Sequence, residues 1–94
     1  MSNLVVTNAP ERHRYEAHLD GELVGYSVYE VDDQTVSFTY ARVFTDYARR
    51  GYASVMAKAS LDDARAADQK VRPVCSFYRW YIDQHPEYEE LVAD

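Results

Sequence analysis

This 94-residue chain has a single cysteine, so no internal disulfide can form and a disulfide-stapled scaffold is excluded. Glycine and proline are scarce, three of each, and no stretch reads as a linker, a repeat or a low-complexity tail. Long apolar runs and a signal-like start are missing too, and the expectation is a cytoplasmic protein with no membrane partner. Basic residues are outnumbered, ten Lys and Arg against sixteen Asp and Glu, for a net charge of −6. General nucleic-acid binding needs a positive face that neutralises phosphates, and this balance argues against it. The histidines His13, His18 and His85 are scattered and form no ligand spacing with Cys75, so no metal site is expected.

What is present is a globular composition, 47% apolar, at a length that fits one domain spanning residues 1–94. Leu4–Thr7 reads as a short strand. From His13 to Leu19 the pattern alternates, with Tyr15, Ala17 and Leu19 on one face and Arg14, Glu16 and His18 on the other. Asp20-Gly21 is a two-residue hairpin signal, followed by a strand over Leu23–Val31, a turn at Asp32-Asp33-Gln34 and a strand over Val36–Val43. Helical spacing of Ala53, Met56, Ala57, Ser60, Leu61, Ala64 and Ala67 predicts a helix from Tyr52 to about Asp68, with Asp62 and Arg65 spaced to pair on its exposed side. Lys70–Cys75 reads as another strand, in which Pro73 belongs at an edge or where the sheet splays. Ser76 can cap a helix over Phe77–Gln84, which His85-Pro86 ends, and Glu87–Val92 fits one or two last turns. The fold class is α+β: an antiparallel meander, a main helix packed on it, one more strand and a C-terminal helix.

Two places carry chemistry. The first is Arg49-Arg50-Gly51-Tyr52-Ala53, a basic glycine turn between a strand and a helix start. Free N–H groups and the helix dipole favour an anion there, Gly51 admits close approach, and guanidinium forks suit phosphate oxygens. The local pattern also fits an ordinary loop with solvated arginines. The second place is Cys75, where the last strand meets a helix start, which favours a thiolate. The spacing leaves open whether Cys75 is a nucleophile or a small buried filler. Beside it, Phe77, Tyr78, Trp80 and Tyr81 form an aromatic seam, in which a tyrosine near a cleft is also able to donate a proton.

Taken together these residues resemble the GNAT superfamily of acetyl-CoA-dependent N-acetyltransferases, in its short single-domain branch. Phe44–Ala53 resembles the pyrophosphate loop, Leu61–Arg65 continues its helix, and Val71–Phe77 with Tyr81-Ile82 and His85–Tyr88 resembles the C-terminal signature of that branch. The resemblance implies a splayed pair of strands at Val36–Val43 and Val71–Cys75 with the pantetheine arm of acetyl-CoA between them. It implies cofactor contacts at Val43, Arg49, Arg50, Gly51, Tyr52, Ala53 and Cys75, a proton-donating Tyr81, and Cys75 as acetyl carrier if transfer runs in two steps. The loop departs at Ala48, where the pattern has Arg or Gln, and at Arg49, often glycine. The strand reads Tyr40-Ala41-Arg42-Val43 where the branch has His-Thr-Glu-Val, so a general base is missing there. The implied function is acetyl transfer to a small-molecule or protein amine; the rivals are a CoA-binding regulatory module without turnover and an interaction domain that keeps only the fold. The acidic balance favours a cationic acceptor through steering.

Overall fold

Asp20 and Gly21 both take positive φ, 50° and 89°, as a tight hairpin turn requires. They join β2 (Arg14–Leu19) to β3 (Glu22–Asp32). In the computed structural model, which describes residues 3–93, β1 (Leu4–Ala9) precedes this hairpin and β4 (Thr35–Val43) follows it through a turn at Asp33 and Gln34. Each of these four strands pairs antiparallel with the next. The fifth, β5 (Lys70–Pro73), runs parallel to β4, so the sheet is mixed, in the order β1-β2-β3-β4-β5. Parallel neighbours require a crossover, here the helix α1 (Tyr52–Ala66). The helix α2 (Ser76–Gln84) and a 3-10 segment (Pro86–Leu91) complete the chain, and Val92 bridges to Val71 on the far edge of β5.

The alternation in the strands selects which face α1 covers. Tyr15, Tyr29, Val36, Phe38 and Val71 point inward and meet Ala57, Leu61 and Ala64 of α1 and Tyr78, Tyr81 and Ile82 of α2. Small residues on α1 let the helix lie close to the sheet. A second cluster of Ala17, Val24 and Met56 fills the end near the hairpin turn. Gly25 marks the tightest contact between β3 and β4: a Cβ there would stand 2.7 Å from the Arg42 carbonyl oxygen.

Four details differ from the sequence expectations. Helix α1 stops at Ala66 because Asp68 turns left-handed (φ 57°), and Asp68 N and Gln69 N donate back to Arg65 O and Ala64 O in a Schellman closure. Asp62 does not pair with Arg65. Lys58 Nζ donates to Asp62 Oδ2 at 2.8 Å and the Tyr88 hydroxyl donates to Asp62 Oδ1 at 2.7 Å, while Arg65 reaches Glu90. Strand β5 ends at Pro73, two residues early, because the proline has no N–H with which to continue the ladder. Ser76 is the first residue of α2 and caps nothing through its side chain; Cys75 holds the N-cap position.

Candidate functional site

The site begins where β4 and β5 part. Their ladder runs from Thr35–Lys70 to Phe38–Pro73, and Cys75 N then donates to Phe38 O at 2.8 Å. Beyond that bond β4 continues for five more residues, to Val43, paired with β3 but not with β5. The cause is local. On the β3 side, Tyr29 pairs with Phe38 and Val28 with Tyr40, leaving Thr39 as an extra residue. A bulge of this kind bends its strand and re-aims the residues that follow. Phe38 holds the branch point in three ways: its backbone pairs with Pro73, its carbonyl accepts from Cys75, and its ring stacks on Tyr78.

The freed end of β4 leads into the basic turn. Arg49 and Gly51 both take positive φ, 65° and 81°. Gly51 is the N-cap of α1, no side chain caps it, and the space where its Cβ would stand is open. The first helical bond is Val55 N to Gly51 O, so the N–H groups of Tyr52, Ala53 and Ser54 lie ahead of the helical ladder. The same three residues line a cavity of about 220 Å³ together with Val43, Tyr47, Arg49, Gly51 and Phe77. Of the residues expected at a cofactor, Val43, Arg49, Gly51, Tyr52 and Ala53 therefore share one cavity. Arg50 stands outside its lining, with its guanidinium 5.6 Å from the Tyr47 ring centre. Phe77, read from sequence as part of an aromatic seam, is the wall that α2 contributes; helical spacing alone gave no sign of it.

Cys75, the N-cap of α2, and Tyr81, further along that helix, stand outside this lining. Cys75 is half-buried beside the branch point. The Tyr81 ring is buried, stacked on His85 at 4.0 Å and near Tyr88 at 6.1 Å. Burial raises its phenol above the ordinary tyrosine value; Lys58 pulls it down, and Asp62 and Glu87 push it further up. Tyr78, one turn earlier, is sealed in the core. Its hydroxyl lies 2.7 Å from both Ser27 Oγ and Ser60 Oγ, and burial pushes its phenol up to about 12. Tyr78 is thus a tie between α2, α1 and β3, while Tyr81 packs against His85 and Tyr88. Among the described residues no group of three or more His, Cys, Asp or Glu side chains is placed to hold a metal ion, and no helix is long and apolar enough to cross a membrane.

A parallel pair that parts beside an uncapped helix start has the shape and the free backbone donors that an extended ligand with an anionic end requires. Residues 14–91 match the family model of the GCN5-related N-acetyltransferases, and the chain belongs to that family; acetyl transfer is its class of function. Among solved structures it is similar to a GCN5-like candidate N-acetyltransferase from Staphylococcus aureus, with 19% identity, a TM-score of 0.74, and coverage of 99% of this chain and 91% of that one. It is also similar to a ribosomal-protein-alanine N-acetyltransferase from Brucella melitensis biovar Abortus 2308, with 20% identity, a TM-score of 0.57, and coverage of 86% of this chain and 61% of that one. At these identities the likeness is one of fold. No curated protein matches the sequence.

Proposed function

We propose that the chain binds acetyl-CoA with its pyrophosphate on the Arg49–Ala53 turn and its pantetheine arm along the free edge of β4, and passes the acetyl group to an amine. The observation that carries this is the separation of β4 from β5 after Phe38, next to the cavity that Gly51 leaves open. Backbone groups freed by the separation suit the amides of the arm, as an added strand suits a sheet edge. Amides at the start of α1 suit the phosphates, and this contact survives the replacement of loop side chains because it does not use them. Arg49, within the cavity lining, adds charge.

In direct transfer the amine nitrogen attacks the thioester carbonyl carbon, the C–S bond breaks, and the leaving sulfur takes a proton. Tyr81 is our candidate donor: its raised phenol keeps its proton at neutral pH. The second route forms an acetyl–Cys75 thioester first and releases CoA thiol, and the amine then takes the acetyl group from Cys75. A cofactor-binding module without turnover is the rival reading, favoured by Tyr40 and Arg42 in place of a base on β4. A thermal-shift series with acetyl-CoA, CoA and a nucleotide control, followed by an acceptor screen that reads free thiol, tests these. Stabilisation with turnover supports transfer, stabilisation without turnover supports the module, and no stabilisation by either CoA species removes both.

A further inference from the structure

The face of the sheet that α1 leaves uncovered has a composition unlike the rest of this acidic chain. On β4, Tyr40 and Arg42 point to it, alternating with Ala41 and Val43, which turn to the helices. Tyr40 lies 6.1 Å from Tyr26 on β3, and Tyr26 lies 6.2 Å from Phe44, so three rings make one wall. Arg14 sits over Tyr26 at 4.7 Å and Arg42 over Phe44 at 5.2 Å.

The charges on this face are not equivalent. Glu16, buried at 6% exposure, is held by Arg14 Nε at 2.8 Å and Arg12 Nη1 at 3.1 Å, so these three groups satisfy one another. His18 lies 3.9 Å from the same carboxylate. Glu30 is exposed and paired with Ser37, one residue short of the branch point, where Arg72 is the β5 neighbour. Arg42 is exposed and has no ion pair among the described residues.

This face adjoins the reaction. An arm that enters from the α1 side and lies between β4 and β5 leaves the opposite side of the gap for the incoming nucleophile. Tyr40 and Arg42 stand two and four residues past Phe38, roughly 7 and 13 Å along the strand at ~3.3 Å per residue. The acceptor therefore meets an aromatic wall and an unpaired guanidinium, and at those two positions it meets no base. A polycation would face Arg42 directly, against the expectation from net charge alone. A carboxylate is the planar partner a guanidinium fork matches. An aliphatic amine is protonated at neutral pH and needs a base; an amine on an aromatic ring is neutral there and needs none.

We infer that the acceptor is an aromatic amine bearing a carboxylate, with its ring on the Tyr26–Tyr40–Phe44 wall and its carboxylate on Arg42. The inference rests on the transferase reading above. In the step itself the amino nitrogen bonds to the acetyl carbon, the C–S bond breaks, Tyr81 gives its proton to the sulfur, and the proton that the nitrogen loses passes through water and restores the Tyr81 phenol.

The test is free-thiol release from acetyl-CoA with four acceptors: 4-aminobenzoate, 4-aminobenzamide, 4-(aminomethyl)benzoate and spermidine. We expect kcat/KM for 4-aminobenzoate to exceed each of the others at least tenfold. Arg42→Glu should abolish the preference for the carboxylate over the amide, Arg42→Lys should keep part of it, and Glu30→Gln should leave it unchanged. Preference for spermidine, for the amide or for the aminomethyl compound overturns the inference, as does an Arg42→Glu protein that still prefers the carboxylate. Saturation-transfer NMR of 4-aminobenzoate on the CoA-loaded protein decides it apart from turnover, because no binding there overturns it too. Loss of the acetyl-CoA thermal shift, by contrast, would strike the cofactor reading and leave the measured acceptor contact standing or falling on the NMR.

Discussion

Tyr78 lies flat on Phe38, with ring centroids 4.4 Å apart and planes within 4° of parallel. Through this stack α2 is fixed to the last residue of β4 that still pairs with β5. The position of Cys75 and Tyr81 relative to the gap therefore depends on this stack.

Tyr78→Phe keeps the stack and deletes the hydroxyl that Ser27 and Ser60 share. Ser60 Oγ still donates to Met56 O at 2.8 Å, so the buried Ser27 hydroxyl loses most. A lost buried hydrogen bond costs about 1–2 kcal/mol, which in a domain this small lowers Tm by roughly 4–8 °C per kcal/mol. Differential scanning calorimetry gives the value, and an unchanged Tm would show that Tyr78 contributes only its ring.

The turn before α1 makes a graded prediction. Arg49 lines the cavity and Arg50 does not, so Arg49→Ala should weaken acetyl-CoA binding more than Arg50→Ala. Gly51→Val should be worst, since its φ of 81° strains any β-branched residue and the open space above it would be filled. Wild type at ~100 times Kd should gain ~2.7 kcal/mol. Isothermal titration calorimetry ranks the three; equal Kd values across them would move the phosphate elsewhere.

For Tyr81 the prediction concerns rate and pH together. Tyr81→Phe should lower kcat by ~10²-fold with cofactor affinity nearly unchanged, as loss of a general acid does. The phenol of Tyr81 is raised, so its acid form persists through neutral pH. Wild-type kcat should therefore fall only above the usual tyrosine value of about 10, and that fall should be absent in Tyr81→Phe. Equal rates in the two proteins would take Tyr81 out of the reaction.

Cys75 separates the two routes. With the thiol half-buried at the branch point, Cys75→Ala should keep transfer within about tenfold and reduce stability by only ~1 kcal/mol. Intact-mass measurement after mixing with acetyl-CoA alone should show no acetyl adduct. An adduct on wild type that is missing in Cys75→Ala and is discharged by amine would establish the covalent route instead.

Glu16 predicts behaviour in acid. Burial favours its neutral form, but the Arg14 and Arg12 guanidiniums outweigh that and hold the carboxyl below the ordinary glutamate value. A depressed folded-state value means that the contribution is complete above the unfolded value, about 4.3, and is lost as pH falls through the folded one. Glu16→Gln should lose stability near neutral pH and show a shallower decline below about pH 4.3. Urea midpoints across that range check it, and parallel curves for the two proteins would refute it.

The meander, its turns and the order of elements were legible because each rests on local chemistry: Asp20-Gly21 for the hairpin, the alanine spacing for α1. The turn at Gly51 was legible for the same reason, since strand, glycine and helix are adjacent in sequence. The parts that were not legible depend on contacts between distant segments. Thr39 becomes the extra residue only because β3 and β4 pair in one register, and nothing in the Val36–Val43 pattern marks it. Asp62 meets Tyr88 because the 3-10 segment folds back over α1, which helical spacing alone does not reveal; its other partner, Lys58, lies one turn earlier on the same helix. Tyr78 and Tyr81 share one run of aromatics, yet the first is held by two serines and the second stacks on a histidine.

The gap after Phe38 gives the sheet an edge in its interior. Those backbone amides of β4 beyond that point that turn away from β3 lack the partner that Thr35–Phe38 have in β5, and such amides exchange their protons with solvent readily. A ligand lying in the gap would act as the missing strand and slow that exchange at the gap-facing amides within Thr39–Val43. The same edge, left empty, is open to pairing with another copy of the chain, so the ligand-free protein should be the form more prone to self-association.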